Sequence, residues 1–188
     1  MSETAHPLAA VLPQARRLYS RDELESAIAR MGRELTAALD GERALLLTVM
    51  NGGMFFASAL AFAIATDLDF DYAHATRYGN ATVGREVRWL HQPTASMRDR
   101  SVILADDILD EGYTLAALRE HCLGAGARRV LIAVLCDKLH DRRMPGLQAD
   151  YVGVELPDRY VFGYGLDYYG QGRNLPDIWA LDDAGDAR

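Results

Sequence analysis

Residues 102–120, VILADDILDEGYTLAALRE, run from an apolar segment into Asp106, Asp107 and Asp110, then Glu111 and Gly112, and on into a helical pattern. The apolar run suits a strand covered on both faces, and the glycine turn behind it leads into a helix. Side chains alternate along a strand, so Asp106 and Asp107, at the end of SVILA, are expected to project to opposite sides. EGYT opens the helix. Backbone N–H groups there make an anion cradle, with Gly112 allowing close approach and Thr114 adding a hydroxyl. The carboxylates only accept, so they suit sugar hydroxyls or cations. A sugar phosphate satisfies both ends of the stretch. Two other readings stay open on these residues alone: a solvated acidic turn, and a magnesium-dependent phosphatase or response-regulator pocket, which leaves the EGYT cradle unused.

The same grammar recurs outward from this stretch. ALLLTVM, 44–50, is a second apolar run that meets Asn51-Gly52-Gly53 and passes into MFFASALAFAIAT, 54–66. That segment falls short of the roughly 20 apolar residues a spanning helix needs, so a buried helix is expected. Upstream, Ser20 and Glu23 have capping-box spacing, and Leu24, Ile28, Met31, Leu35 and Leu39 recur on one helical face. Residues 1–19, with Pro7 and Pro13, read as irregular. FDYAHATRYGN suggests a strand and loop, GREVRWLHQ a weak edge strand, and 77–84 a mobile hairpin or flap. RVLIAVLCD and ADYVGVEL are further strands, and 160–181 continue as strands and loops. Alternating strands and helices imply an α/β fold with a parallel sheet, whose ligands bind at the carboxyl ends of the strands. The glycine turns and the acidic cluster both fall there.

Composition narrows the function. The chain has 188 residues, 49% of them hydrophobic, and a net charge of −7, which suits one globular domain and argues against a general nucleic-acid or membrane-surface binder. Cys122 and Cys136 lie in apolar stretches and read as buried thiols, and the five histidines show no ligand spacing. The first residues carry no signal pattern, so a cytoplasmic location is expected.

VILADDILDEGYTL resembles the diphosphoribosyl-binding signature of the type I phosphoribosyltransferases, and the wider pattern resembles their hypoxanthine-guanine branch. VMNGGMFFASAL is similar to that branch's pyrophosphate loop, ATRYGN to the start of its flap, LCDKLHDRR to its base-recognition strand, and LPDRYVFGYGLDYYGQGRNLP to its C-terminal base and metal segment. The resemblance implies a parallel-sheet core, roughly 40–156, with helices on both faces and a small hood from 1–39 and 157–188. It implies transfer of a 5-phosphoribosyl group from phosphoribosyl diphosphate to hypoxanthine or guanine, with magnesium, in a homodimer or homotetramer. By the same resemblance, Asp106 and Asp107 meet the ribose hydroxyls. The amides of Glu111, Gly112, Tyr113 and Thr114, with the Thr114 hydroxyl, hold the 5′-phosphate. Asp110 is the general base at purine N7. Lys138 contacts O6, Tyr160 stacks on the base and Val161 offers backbone groups to its edge. Asn51, Gly52, Gly53 and Arg173 serve pyrophosphate, Arg77 and Tyr78 belong to the flap, and Asp167 joins Asp106 and Asp107 at the metal.

Taken singly these residues have plainer readings: Lys138 paired with Asp137, the tyrosines as core and rim, Asp167 as a turn cap, Arg173 as a solvated loop residue. Their joint order behind the signature favours the site. Three positions depart from the family's pattern. Asn51 stands where a lysine is common, Glu111 where a threonine is usual, and Arg77 where better-known flaps have serine. On charge grounds Arg77 is expected to replace the cation that Asn51 lacks. A xanthine-preferring enzyme is the nearest alternative. A regulator sensing phosphoribosyl diphosphate would be expected to add a basic nucleic-acid-binding segment, which the acidic composition and the mixed charge of 1–43 do not suggest.

Overall fold

A computed structural model describes residues 7–77 and 87–181, with the side chain of Arg77 outside the description. In chain order the elements are α1 (Leu8–Val11), a 3₁₀ turn (Leu12–Gln14), β1 (Ala15–Tyr19), α2 (Arg21–Leu39), β2 (Ala44–Val49), α3 (Met54–Ala63), β3 (Leu68–Arg77), β4 (Val87–His91), β5 (Ser101–Leu109), α4 (Tyr113–Gly124), β6 (Arg129–Lys138), β7 (Tyr151–Leu156), β8 (Val161–Phe162) and β9 (Ile178–Leu181). Six strands form the main sheet in the order β4-β3-β2-β5-β6-β7. All its pairings are parallel except β3 with β4, at the edge. β1, β9 and β8 make a second, antiparallel sheet.

The apolar runs become the central strands because both of their faces are covered. One core layer joins α2 and α3 to the sheet, and the other packs α4 on the opposite face. Helices therefore lie on both faces, as the βαβ pattern requires. α2 begins with the reciprocal Ser20–Glu23 capping box, and its stripe of Leu24, Ile28, Met31, Leu35 and Leu39 is buried. The crossing of α2 and α3 is close: a Cβ on Gly32 would lie 2.4 Å from the Ala63 side chain. α2 also packs against β7, so this helix belongs with the main sheet, while the small sheet draws on 15–19 and 161–181.

Three expectations change. The segment 15–19, read as irregular, is a strand, because it pairs with β9 far along the chain and local pattern carries no trace of that partner. The helix expected over 54–66 ends at Ala63 and is buried only along Phe56, Ala57 and Leu60, whereas Phe62 is 93% exposed. A run apolar on every side hides which face packs. β5 does not stop at Ala105 but continues to Leu109, paired with β6 as far as Asp137, and so carries Asp106 and Asp107 within the strand. The flap expected over 77–84 lies outside the described residues from Tyr78 onward. Among the described residues no helix is long and apolar enough to cross a membrane.

Candidate active site

The carboxyl ends of β2, β5 and β6 open onto a cleft of about 390 Å³, a size typical of small-ligand sites. It gathers Asn51 and Gly52 after β2, Asp106, Asp107 and Asp110 from β5 and its turn, and Gly112 and Thr114 at the start of α4. Lys138 comes from β6, and Tyr160, Val161, Asp167 and Arg173 from the C-terminal segment. Most residues singled out from sequence thus meet in one place. Gly53, Glu111 and Tyr113 do not line the cleft walls. Tyr78 lies outside the described residues, and only the backbone of Arg77, at the end of β3, is described.

Close packing fixes the floor. A Cβ on Gly52 would fall 1.8 Å from Asp107 Oδ2, and one on Gly53 2.7 Å from the carbonyl oxygens of Ala105 and Val49. The two glycines thus do different things: Gly52 leaves room for a carboxylate, and Gly53 lets the turn lie against β5. The Met50–Asn51 peptide is cis. Gly165 (φ +103) brings the C-terminal segment so near that its Cβ would meet Gly52 O at 2.2 Å. This contact was missed from sequence because nothing in a lone glycine names the backbone it faces.

Asp106 and Asp107, expected on opposite sides of the strand, both line the cleft; Asp107 is buried and Asp106 half-buried, and the Asp107 amide donates to Asp106 Oδ1 at 2.9 Å. Burial, joined by the Asp107 charge, pushes the Asp106 carboxyl well above the usual aspartate range. Burial also raises Asp107, against the opposing pull of a hydrogen bond with Asp106 and the Arg173 charge. Two acids in this state call for a cation or hydroxyl donors. Asp167 takes an ion pair from Arg173 at 2.5 Å and a hydrogen bond from the Gly170 amide at 2.7 Å, while Arg173 also donates to Gly165 O at 2.6 Å.

Asp110 differs from its neighbours. Burial pushes its carboxyl up, but the charge and hydrogen bond of Lys138, with a hydrogen bond from His140, outweigh this and hold it below the ordinary value. Lys138 Nζ lies 3.1 Å from Asp110 Oδ2. The plainer pairing of Lys138 with Asp137 is not formed, since Asp137 is taken by Arg143. His140 Nε2 lies 2.6 Å from Asp110 Oδ1 with its side chain only 2% exposed. Sequence reading passed over His140, which has no ligand spacing and gains its role from a contact 30 positions away. Gly112, with φ +87, sets the entry to α4, a conformation that favours glycine, and Gly112 and Thr114 line the cleft at the start of that helix.

The donor set suits magnesium. Asp106, Asp107 and Asp167 bring hard carboxylate oxygens to the cleft, yet among the described residues no three acidic, histidine or cysteine side chains close into a cage. Magnesium commonly takes one or two carboxylates and completes its shell with water and substrate phosphates.

The phosphoribosyl transferase domain model matches residues 15–169. The chain is 36% identical over 168 residues to the hypoxanthine-guanine phosphoribosyltransferase of Bacillus subtilis, covering 89% of this chain and 93% of that protein. It is 39% identical over 165 residues to the bifunctional TilS/HprT protein of Listeria innocua, covering 87% of this chain but only 25% of that much longer protein. A crystal structure of a hypoxanthine phosphoribosyltransferase from Staphylococcus aureus superposes with a TM-score of 0.86 at 29% identity, covering 92% of this chain and 95% of that one.

Proposed function

Because the chain belongs to the phosphoribosyl transferase domain family, we propose that it is a purine-salvage enzyme. It moves the 5-phosphoribosyl group of phosphoribosyl diphosphate onto hypoxanthine or guanine and releases pyrophosphate. The observation that carries this reading is the meeting, in one cleft, of the adjacent carboxylates Asp106 and Asp107 with a separate Lys138–Asp110 pair.

Departure of pyrophosphate leaves positive charge on the ribose ring. The electronegative floor of Asp106 and Asp107 accepts the ribose hydroxyls and stabilises that charge as it develops. The amides of 111–114 and the Thr114 hydroxyl hold the 5′-phosphate. Asn51, Gly52 and Arg173, which line the cleft, face the leaving group, and Gly53 seats their turn against β5. Gly52 packs so closely on Asp107 that no Cβ fits between them, so the ribose and pyrophosphate subsites adjoin. Asp110 takes the proton from purine N7, and Tyr160 stacks on the base while Val161 offers its backbone. The flap of Arg77 and Tyr78 excludes the water that would otherwise capture the ribosyl cation. Asp106, Asp107 and Asp167 would hold magnesium, which when bound neutralises and orients the pyrophosphate oxygens.

Lys138 supplies the choice of base. An ammonium only donates, so it serves a 6-oxo acceptor and faces donor to donor against adenine's amino group. A site of this kind rejects the mismatched group by up to about 10⁴–10⁵. The exposed apolar face of α3, with Phe55 and Phe62, supports assembly as a homodimer or homotetramer, and the two buried free thiols are in keeping with a cytoplasmic location. A spectrophotometric assay of hypoxanthine, guanine, xanthine and adenine, each with phosphoribosyl diphosphate and magnesium, tests the reading. Turnover of hypoxanthine and guanine without adenine is expected. Turnover of adenine alone would overturn it.

A further inference from the structure

The LHDRR segment after β6 holds a hydrogen-bond relay that the proposed reaction does not yet use. The Arg142 amide donates to His140 Nδ1 at 3.1 Å. An N–H aimed at Nδ1 requires a lone pair there, so the ring hydrogen sits on Nε2 and points at Asp110 Oδ1, 2.6 Å away. Moving the ring proton to Nδ1 would set donor against donor at Arg142, and turning the ring over would present C–H groups to both partners. Arg142 is itself held by a two-pronged pair with Asp158, at 2.7 Å to each oxygen, and the segment is tied down by Leu139 N–H to Leu156 O at 2.8 Å and Met144 N–H to Glu111 O at 2.9 Å. His140 is buried, whereas the Asp110 side chain that it grips is 37% exposed to the cleft.

We propose that His140 is a positioning residue for Asp110, fixing the carboxylate in the orientation from which it receives the purine proton. The inference rests on Asp110 being the base. Lys138 binds Oδ2 and His140 binds Oδ1, so the carboxylate is held at both oxygens and cannot spin about its terminal bond. Each oxygen keeps a second lone pair for the substrate. Lys138 alone would leave one free rotation, and Lys138 must also serve the 6-oxo group. The charged groups facing the pair are Lys138 and Arg142 on the same segment and Asp158 from the turn after β7.

The test compares His140→Phe, which keeps a ring in the buried slot without a donor, with His140→Gln, whose amide restores an N–H near the Nε2 position. Both are made in the wild-type and Asp110→Asn backgrounds, with kcat, each KM and the pH profile of kcat/KM measured. In His140→Phe, kcat should fall about ten- to a hundred-fold, the scale of a small misplacement of a reacting group, with KM for phosphoribosyl diphosphate unchanged. The acid limb of the profile should move to higher pH, because Asp110 loses a donor that favours its ionised form. His140→Gln should recover most of the loss, and His140→Phe should cost nothing further in Asp110→Asn. An unchanged kcat and acid limb in His140→Phe, or an equal loss in both backgrounds, would overturn the inference while leaving the base intact. Wild-type turnover by Asp110→Asn would instead remove the base itself, and His140's role with it. If His140→Phe melts abnormally, His140→Asn, too short to reach Asp110, replaces it as the donorless variant.

Discussion

Adding one methyl group at Gly52 should disable the enzyme while leaving it folded. The new Cβ would lie 1.8 Å from Asp107 Oδ2, whereas an ordinary contact begins at 3.4 Å, so the carboxylate must retreat by about 1.6 Å. The displaced atom is the end of a side chain, which can move; the backbone of β5 beneath it need not. A misplacement of about 1 Å can cost on the order of 10²-fold in rate. kcat/KM for phosphoribosyl diphosphate should therefore fall at least about 10²-fold in Gly52→Ala, equal to roughly 2.7 kcal/mol of lost transition-state stabilisation. The melting temperature should drop only modestly, within the ~1–3 kcal/mol typical of overpacking. Gly53→Ala is the control. Its Cβ would strike two backbone carbonyls that cannot turn aside, so there the damage falls on the fold. The assay is initial-rate formation of nucleotide from hypoxanthine, beside a thermal melt of each variant. A Gly52→Ala protein with wild-type kcat/KM would refute the placement of Asp107 at the reacting ribose.

The remaining predictions concern the acids and their partners. Asp110→Asn should lower kcat by about 10²–10⁴ with substrate binding largely kept, as for loss of a positioned general base; steady-state kinetics with both substrates decides this. Asp107→Asn should raise thermal stability at neutral pH even as activity is lost. Both carboxyls of the pair are raised in the fold, so the native state keeps protons that the unfolded chain releases. The stability they contribute is present below the ordinary aspartate range and declines as pH rises through the raised values; melts from pH 4 to 8 should show a shallower decline in the variant. Magnesium should raise the wild-type melting temperature by mass action, and less so in Asp107→Asn. Lys138→Met should lower kcat/KM for hypoxanthine by about 10²-fold or more without creating comparable use of adenine, because the buried acceptor edge loses its donor; the base panel reads this directly.

The parallel core was legible because continuous apolar strands and glycine turns are local signals, and the capping box at Ser20 marked α2 to the residue. β1 was not legible, since its meaning lies in β9, some 160 positions on. α3 misled for the opposite reason: with nearly every side chain apolar, periodicity could not separate the face on Phe56 and Leu60 from the exposed one bearing Phe62. Within the site, residue types announced the acidic cluster and the glycine turn at Gly52, whereas Lys138 was marked only by the family resemblance. Contacts made only by folding were silent, among them Gly165 against Gly52 and His140 on Asp110. Asp137 invited the wrong partner for Lys138, because its carboxylate is claimed by Arg143, six positions on.

A crystal structure with a purine nucleotide bound tests the account most directly. It should show the 5′-phosphate on the backbone amides of 111–114, the ribose hydroxyls on Asp106 and Asp107, and the 6-oxo group against Lys138. A phosphate bound anywhere else in the cleft would contradict it.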